Sequence, residues 1–306
     1  MFRAFFIALS ESRTLRGVAE RSAIGRRLSS RFVAGMTVED ALTATAATNA
    51  RGMAVSVDNL GENVMNVEEA KHSARLYHEM LDALAARKLN ANVSLKLTHM
   101  GLDVDEKLAL DIASELVAHA AGIDNFVRID MEGSPYTQKT LDFVRALHRR
   151  PGHAKHVGAV IQSYLHRSEK DVEDLCAEGI RIRLCKGAYK EPASIAFQEK
   201  SEVDASFVRL MKILLKSGTF HGIATHDPAM IDATIAFARA ENIAPSAFEF
   251  QMLYGVRRDL QETLVKDGWG MRVYIPFGTE WYPYLMRRLA ERPANAIFIL
   301  KNLFRR

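Results

Sequence analysis

The sequence predicts an α/β protein, a closed (βα)8 barrel of the TIM type with short helices at its N-terminus. Three observations carry this expectation. Eight short apolar or alternating runs recur from residue 50 onward, separated by amphipathic stretches long enough to cross back over a sheet. Within the runs the polarity alternates with a period of two, so each strand has one polar and one apolar face. A polar residue stands at or near the end of every run, and in a barrel those ends share one rim.

The candidate strands are Met53–Asp58, Asn92–Leu97, Phe126–Met131, Val157–Gln162, Ile180–Cys185, Gly222–His226, Phe248–Gln251 and Arg272–Tyr274. Helical spacing of apolar residues marks Glu68–Ala86, Lys107–Ala121, Lys139–His148 and Asp204–Leu215 between them. In the third run Val127, Ile129 and Met131 face the helices, which leaves Arg128 and Asp130 pointing inward. Ile180, Ile182 and Leu184 repeat the pattern and leave Arg181 and Arg183 inside. The rim then carries Asp58, Lys96, Asp130, Gln162, Arg183, His226, Gln251 and Tyr274. Any one of these alone reads as a satisfied hydrogen bond in the core, but a full ring points to a site. Residues 1–49 form an N-terminal helical segment and residues 50–306 the barrel. Arg3, Arg13, Arg16, Arg21, Arg26 and Arg27 among serines suggest a transit peptide. Glu11 and Glu20 oppose that reading, and Leu15, Val18, Ile24 and Leu28 recur at helical spacing, so short structural helices are preferred.

With 48% hydrophobic and 25% charged residues the composition is globular, which excludes disorder and fibre. Apolar runs such as Ala294–Leu300 are far short of the roughly 20 residues that cross a bilayer, so any membrane contact is peripheral. Two cysteines, Cys176 and Cys185, without a signal peptide imply no disulfide framework and a cytoplasmic setting. The net charge of +4 is dispersed and not interleaved with stacking aromatics, so no nucleic-acid partner is expected. Gly268-Trp269-Gly270 lacks the third glycine of a dinucleotide fingerprint. There is no P-loop, CxxC or HExxH, and His99, His119 and His226 show no ligand spacing, so no metal is expected either.

Several segments carry a specific resemblance, and they occur in one order. They are Val93-Ser94-Leu95-Lys96, Ile129-Asp130-Met131-Glu132, Gln162-Ser163-Tyr164-Leu165, RLCKGAY from Arg183 to Tyr189, Ala224-Thr225-His226, EFQMLYG from Glu249 to Gly255, and YIPFGTEWYPYLMRRLAERPAN from Tyr274 to Asn295. Together they resemble the monofunctional, FAD-dependent proline dehydrogenase family over roughly residues 50–300. The resemblance implies oxidation of L-proline to Δ1-pyrroline-5-carboxylate by hydride transfer from ring carbon C5 to flavin N5. It also implies reoxidation by a quinone at a membrane surface, and a separate pyrroline-5-carboxylate dehydrogenase as partner.

Read from the residues, proline's carboxylate asks for planar cationic donors and its ring for an apolar wall. Arg287 and Arg288 lie on a helix that Thr279 can cap, with Pro283 early enough to be tolerated. Away from such a pattern the pair reads as solvated and bridged to Glu291. Lys96 projects inward and needs an anion, which is the substrate carboxylate, Asp130, or both. The resemblance implies that Lys96, Arg287 and Arg288 bind the carboxylate, that Leu184, Tyr189, Leu253 and Tyr274 wall the ring, and that Asp130 orients the set. It places Arg183 beside flavin N5, Gln162 on the pyrimidine edge, Lys186, Gly187 and Ala188 along the ribityl and phosphate side, and Thr225, His226 and Glu291 on the remainder of FAD. Lys190 stands where bifunctional relatives carry an aromatic over the adenine. The resemblance places the loop that carries Glu62, after the first strand, over the active site opposite the final helix, where Glu62 is expected to pair with Arg287 as a gate. Two competing readings are a Schiff-base aldolase using Lys96 or Lys186, which binds no flavin, and a flavin-binding electron-transfer or sensor module that has lost turnover, whose marker would be loss of the carboxylate clamp, whereas Lys96, Arg287 and Arg288 are all present.

Overall fold

The computed structural model describes residues 29–291, with residues 287–291 described by their backbone alone. The arginine-rich stretch and the helical spacing of Leu15, Val18, Ile24 and Leu28 lie outside the described residues. Eight parallel strands follow one another around a closed barrel: β1 (Ala54–Asn59), β2 (Ala91–Leu95), β3 (Val127–Ile129), β4 (Val157–Gln162), β5 (Arg181–Cys185), β6 (His221–Ala224), β7 (Phe248–Leu253) and β8 (Met271–Phe277). Each pairs with the next, and β8 returns to β1, with Ser56 opposite Tyr274. Helix α1 (Val38–Asn49) packs on β1 and β8. The helices outside the barrel are α2 (Val67–Ala86), α3 (Glu106–Gly122), α4 (Ser134–His148), α5 (Ser168–Ala177), α6 (Lys200–Lys216), α7 (Pro228–Ala240), α8 (Arg258–Lys266) and α9 (Trp281–Glu291).

Local chemistry fixes where the helices begin. Asn66, Asp105 and Asp227 each accept a backbone N–H of the following first turn. Thr37 and Asp40 cap α1 reciprocally. Between strands and helices lies a continuous apolar layer that includes Val57, Leu95 and Ile129 from the barrel and Tyr77, Leu81 and Leu116 from the helices. Burying each such side chain contributes about 1.5–3 kcal/mol before conformational entropy is counted.

Several boundaries differ from the sequence expectation. α4 starts at Ser134, five positions before the expected Lys139, because Pro135 suits a first turn. β3 ends at Ile129, although Asp130 N still donates to Leu95 O at 2.8 Å. β6 ends at Ala224, so Thr225 and His226 belong to the loop beyond it. β8 runs on to Phe277, past the expected end at Tyr274. α9 begins at Trp281, so Thr279 lies one position too early to be its cap.

The inward positions follow the predicted alternation and fill the lumen with polar rather than branched aliphatic side chains. Near the N-terminal mouth lie Asn92, Arg128, Arg181, Glu249 and Arg272, and above them Ser56, Ser94, Asp130, Arg183, Gln251 and Tyr274. Gly158 and Gly222 occupy inward positions on β4 and β6. A Cβ on Gly158 would collide with Arg181 O and Arg128 Nη1, and one on Gly222 with Gln251 Nε2. The long polar chains cross the space these glycines leave.

His221, at the start of β6, is 1% exposed, and its Nδ1 accepts Ile182 N–H at 3.0 Å. Burial, reinforced by Arg128 and Arg181, lowers its pKa to about 3. His99 is likewise lowered to about 3, by burial and then by Lys96. Both are neutral in the fold, whereas in the unfolded chain they bind a proton below about 6.5. Their contribution to stability is therefore complete above pH 6.5 and is lost as pH falls toward 3. Urea unfolding midpoints should fall between pH 7 and pH 5. His221→Gln, whose amide oxygen can still accept Ile182 N–H, should flatten that limb by up to about 1.4 kcal/mol per pH unit. An equally steep acid limb in the variant would show that His221 charges within the fold.

Candidate active site

Arg183 lies across the barrel axis with a side chain only 8% exposed. Its Nε donates to Gln251 Oε1 at 2.6 Å, Nη1 to Asp130 Oδ1 at 2.7 Å and Ser94 Oγ at 3.2 Å, and Nη2 to Ser56 Oγ at 3.1 Å. The ring of Tyr274 lies beside the guanidinium, 5.1 Å from its centroid to Cζ. Burying a cation costs several kcal/mol unless its donors and charge are matched, and here all three nitrogens are. Asp130 is the centre of the opposing charge. Its Oδ1 also accepts Ser94 Oγ–H at 2.7 Å, and its Oδ2 accepts Tyr274 O–H at 2.9 Å. Burial, followed by Asp130 and Asp58, pushes the Tyr274 phenol well above its ordinary pKa, so it remains a donor.

Lys96 reaches the same space, but its ion pair differs from the expected one. Its Nζ lies 3.6 Å from Asp58 Oδ2, while Asp130 is already engaged by Arg183, Ser94 and Tyr274. Burial alone would lower the lysine's pKa. Asp58, then Asp130, Tyr189 and Glu62, outweigh burial and hold it above its ordinary value. The ammonium therefore stays charged, which suits a carboxylate ligand and opposes a Schiff-base nucleophile. Asp58 is itself buried, and its Oδ1 accepts Tyr77 O–H at 3.3 Å.

The other predicted residues fall into distinct places. Leu253 lies opposite Tyr274 in the β7–β8 register and is partly exposed at the rim. Tyr189 is 37% exposed on the loop after β5, and Glu62 is half-buried on the loop between β1 and α2. Gln162 ends β4, where its Nε2 donates to Glu132 O at 3.0 Å. Lys186 pairs with Asp204 and, at 2.7 Å, with Asp227; Gly187 and Ala188 follow it in the loop. Thr225 Oγ1 accepts Asp227 N–H at 3.1 Å, and His226 Nε2 accepts Leu253 N–H at 2.9 Å, which puts the imidazole proton on Nδ1. One expectation is corrected: Leu184 alternates with the inward Arg183 and is fully buried in the layer under the helices, so it does not wall a ligand in the lumen. Arg287, Arg288 and Glu291 lie on α9, with side chains outside the described residues.

Sequence reasoning put Asp58 and Gln251 on the polar rim without a specific role and passed over Ser56 and Ser94. The alternation already turned all four inward, and that was the available signal.

Tyr274→Phe removes one charged hydrogen bond from Asp130 and leaves its Ser94 and Arg183 bonds in place. Urea denaturation should show a loss of about 1.5–3 kcal/mol. A loss below about 0.5 kcal/mol would mean that the phenol is not bonded to Asp130.

Comparison with known proteins identifies the family of the chain as a whole. The family model described as proline dehydrogenase matches residues 41–301. Proline dehydrogenase 1 of Bacillus subtilis (strain 168) is 41% identical over 307 residues, spanning 100% of both chains. Proline dehydrogenase of Deinococcus radiodurans is 40% identical over 281 residues, covering 91% of this chain and 90% of that protein. Among solved structures, proline utilization A (PutA) from Bdellovibrio bacteriovorus inactivated by N-propargylglycine superposes with a TM-score of 0.85 at 26% identity, covering 100% of this chain and 38% of that one. A barrel built around Arg183, Asp130 and Lys96, matched along its whole length by such relatives, belongs to the proline dehydrogenase family.

Proposed function

We propose that the chain oxidises L-proline to Δ1-pyrroline-5-carboxylate with FAD as its cofactor, the first step of proline catabolism, and that a quinone at a membrane surface takes the electrons onward. The observation that carries the reading is the pairing of a fixed, fully bonded Arg183 with a permanently charged Lys96 at one end of the lumen. FAD, when bound, supplies a two-electron acceptor. The donor set fits it: Arg183 offers a buried cation, Gln162 an amide, and Lys186 a second cation on the loop after β5. Gly187, Ala188, Thr225, His226 and Glu291 complete the set proposed to hold it.

Lys96, Arg287 and Arg288 are assigned to the substrate carboxylate, with Leu253, Tyr189 and Tyr274 around the ring. Asp130 keeps Tyr274 and Arg183 oriented, so the work of these side chains is positioning and electrostatics. The proline amine is bound deprotonated, and no protein nucleophile takes part. Among the described residues no helix is long and apolar enough to cross a membrane; quinone docking is assigned to peripheral contact on the strength of family membership. The same membership suggests that a separate pyrroline-5-carboxylate dehydrogenase consumes the product.

The deciding experiment is a visible absorption spectrum of the purified protein before and after anaerobic addition of substrate. A flavin spectrum that bleaches with L-proline and not with D-proline is expected, because the clamp and the cofactor together select one face of the ring. A folded, colourless protein that FAD cannot reconstitute would end this reading.

Glu62 and Arg287 are assigned to a gate that closes over the ligand. Glu62→Ala and Arg287→Ala should then be non-additive in kcat/KM, since either removes the same pair. Additive losses in the double-mutant cycle would leave Arg287 as a carboxylate ligand only.

A further inference from the structure

The opposite end of the barrel carries a second charged cavity that the reaction does not use. It has a volume of about 660 Å³ and opens at the N-terminal mouth, where Arg128, Arg181, Arg272, Lys88, Lys155 and His156 line it together with two carboxylates, the buried Glu249 and the exposed Asp124. Arg272 Nε is satisfied by Glu249 at 2.6 Å, and its Nη1 by Val55 O and Asn92 Oδ1 at 2.7 and 2.8 Å. Arg128 Nη1 donates to the carbonyls of Ala159 and Arg181 at 2.9 and 2.6 Å, neutral acceptors, and its countercharge is Glu249, which it shares with the other two arginines. Arg181 is held between two aromatic faces, with Cζ 4.4 Å from the Phe126 centroid and 4.9 Å from that of Phe220. Its buried Nε has no hydrogen-bond partner.

A structural plug of the mouth would explain the Arg272–Glu249 pair but not the remaining charge. Branched aliphatic residues fill such a layer more cheaply, and three guanidinium groups here share one buried carboxylate. Burial, then Arg183 and Arg181, pushes Arg128 well below its ordinary pKa, the direction expected of a cation short of anions. A planar guanidinium fork fixed by ring stacking and open to a cavity matches an oxyanion with several acceptor oxygens.

We propose that this cavity is a binding site for a phosphate group, free or as a phosphomonoester, held by Arg181 and Lys155 at the mouth opposite the active site. A hydrogen-bonded line joins it to the centre of the barrel: Arg272 and Gln251 both donate to Glu249 Oε1, at 2.6 and 2.7 Å, and Gln251 accepts from Arg183. Occupancy would therefore be felt by the residue at the axis.

The test is thermal unfolding of the full chain, as purified with its cofactor, in sodium phosphate, in glycerol phosphate and in sodium chloride at matched ionic strength. A saturable rise in Tm with either phosphate and none with chloride is expected. Arg181→Gln should raise the half-saturating concentration ~10-fold or more, the worth of one charged hydrogen bond. Lys155→Gln, at an exposed position that leaves folding intact, should raise it about two- to five-fold. Tighter binding of glycerol phosphate would identify a phosphomonoester as the ligand, and tighter binding of inorganic phosphate the free ion. A Tm rise that chloride reproduces, or half-saturation unchanged in both variants, would overturn the proposal.

Discussion

A single buried guanidinium sets the terms for this barrel. Arg183 is stable at the axis only because Ser56, Ser94, Asp130 and Gln251, from four other parts of the sheet, reach it at one level. Sliding any of those strands by one residue would turn its acceptor to the helical face and leave a charge without partners. Strand register and the geometry of the site are therefore one requirement. The closed sheet, with no free edge to slip, satisfies it.

Around that centre the charges are ordered by what each carboxylate already holds. Asp130 is committed to Arg183, Ser94 and Tyr274, and Asp58 is left for Lys96. Among the described residues the lysine thus has one protein anion at salt-bridge distance, and it keeps its proton, a state that favours a second, incoming carboxylate over covalent chemistry. Lys186 is likewise held by Asp204 and Asp227. The aldolase reading left open by the sequence loses both of its candidate nucleophiles.

The barrel was legible because alternation and apolar run length are local properties, and Val157–Gln162 even has its observed limits. Ends were less so. Pro276 argues against continuing a strand, yet β8 passes through it, because its register is set by pairing with β1. The partner of Lys96 was not legible, since choosing between Asp58 and Asp130 requires the stagger of strands around a closed sheet. Leu184 shows two sources of inference in conflict: alternation turned it outward, the family resemblance turned it inward, and the structure follows alternation. The arginine clamp was read from sequence alone, and its side chains lie outside the described residues.

Gly158 and Gly222 bring neither charge nor hydrogen-bonding side chain to the lumen, yet the space above them is occupied by Arg128 and Gln251 from other strands. In such an interior, function is partly written in absences. A methyl group added at Gly222 would displace the amide that steadies Arg183, and an assay would register a damaged active site although no reactive group had changed. The two glycines of the strands are thus bound to the polar side chains that cross above them, and neither can vary without the other.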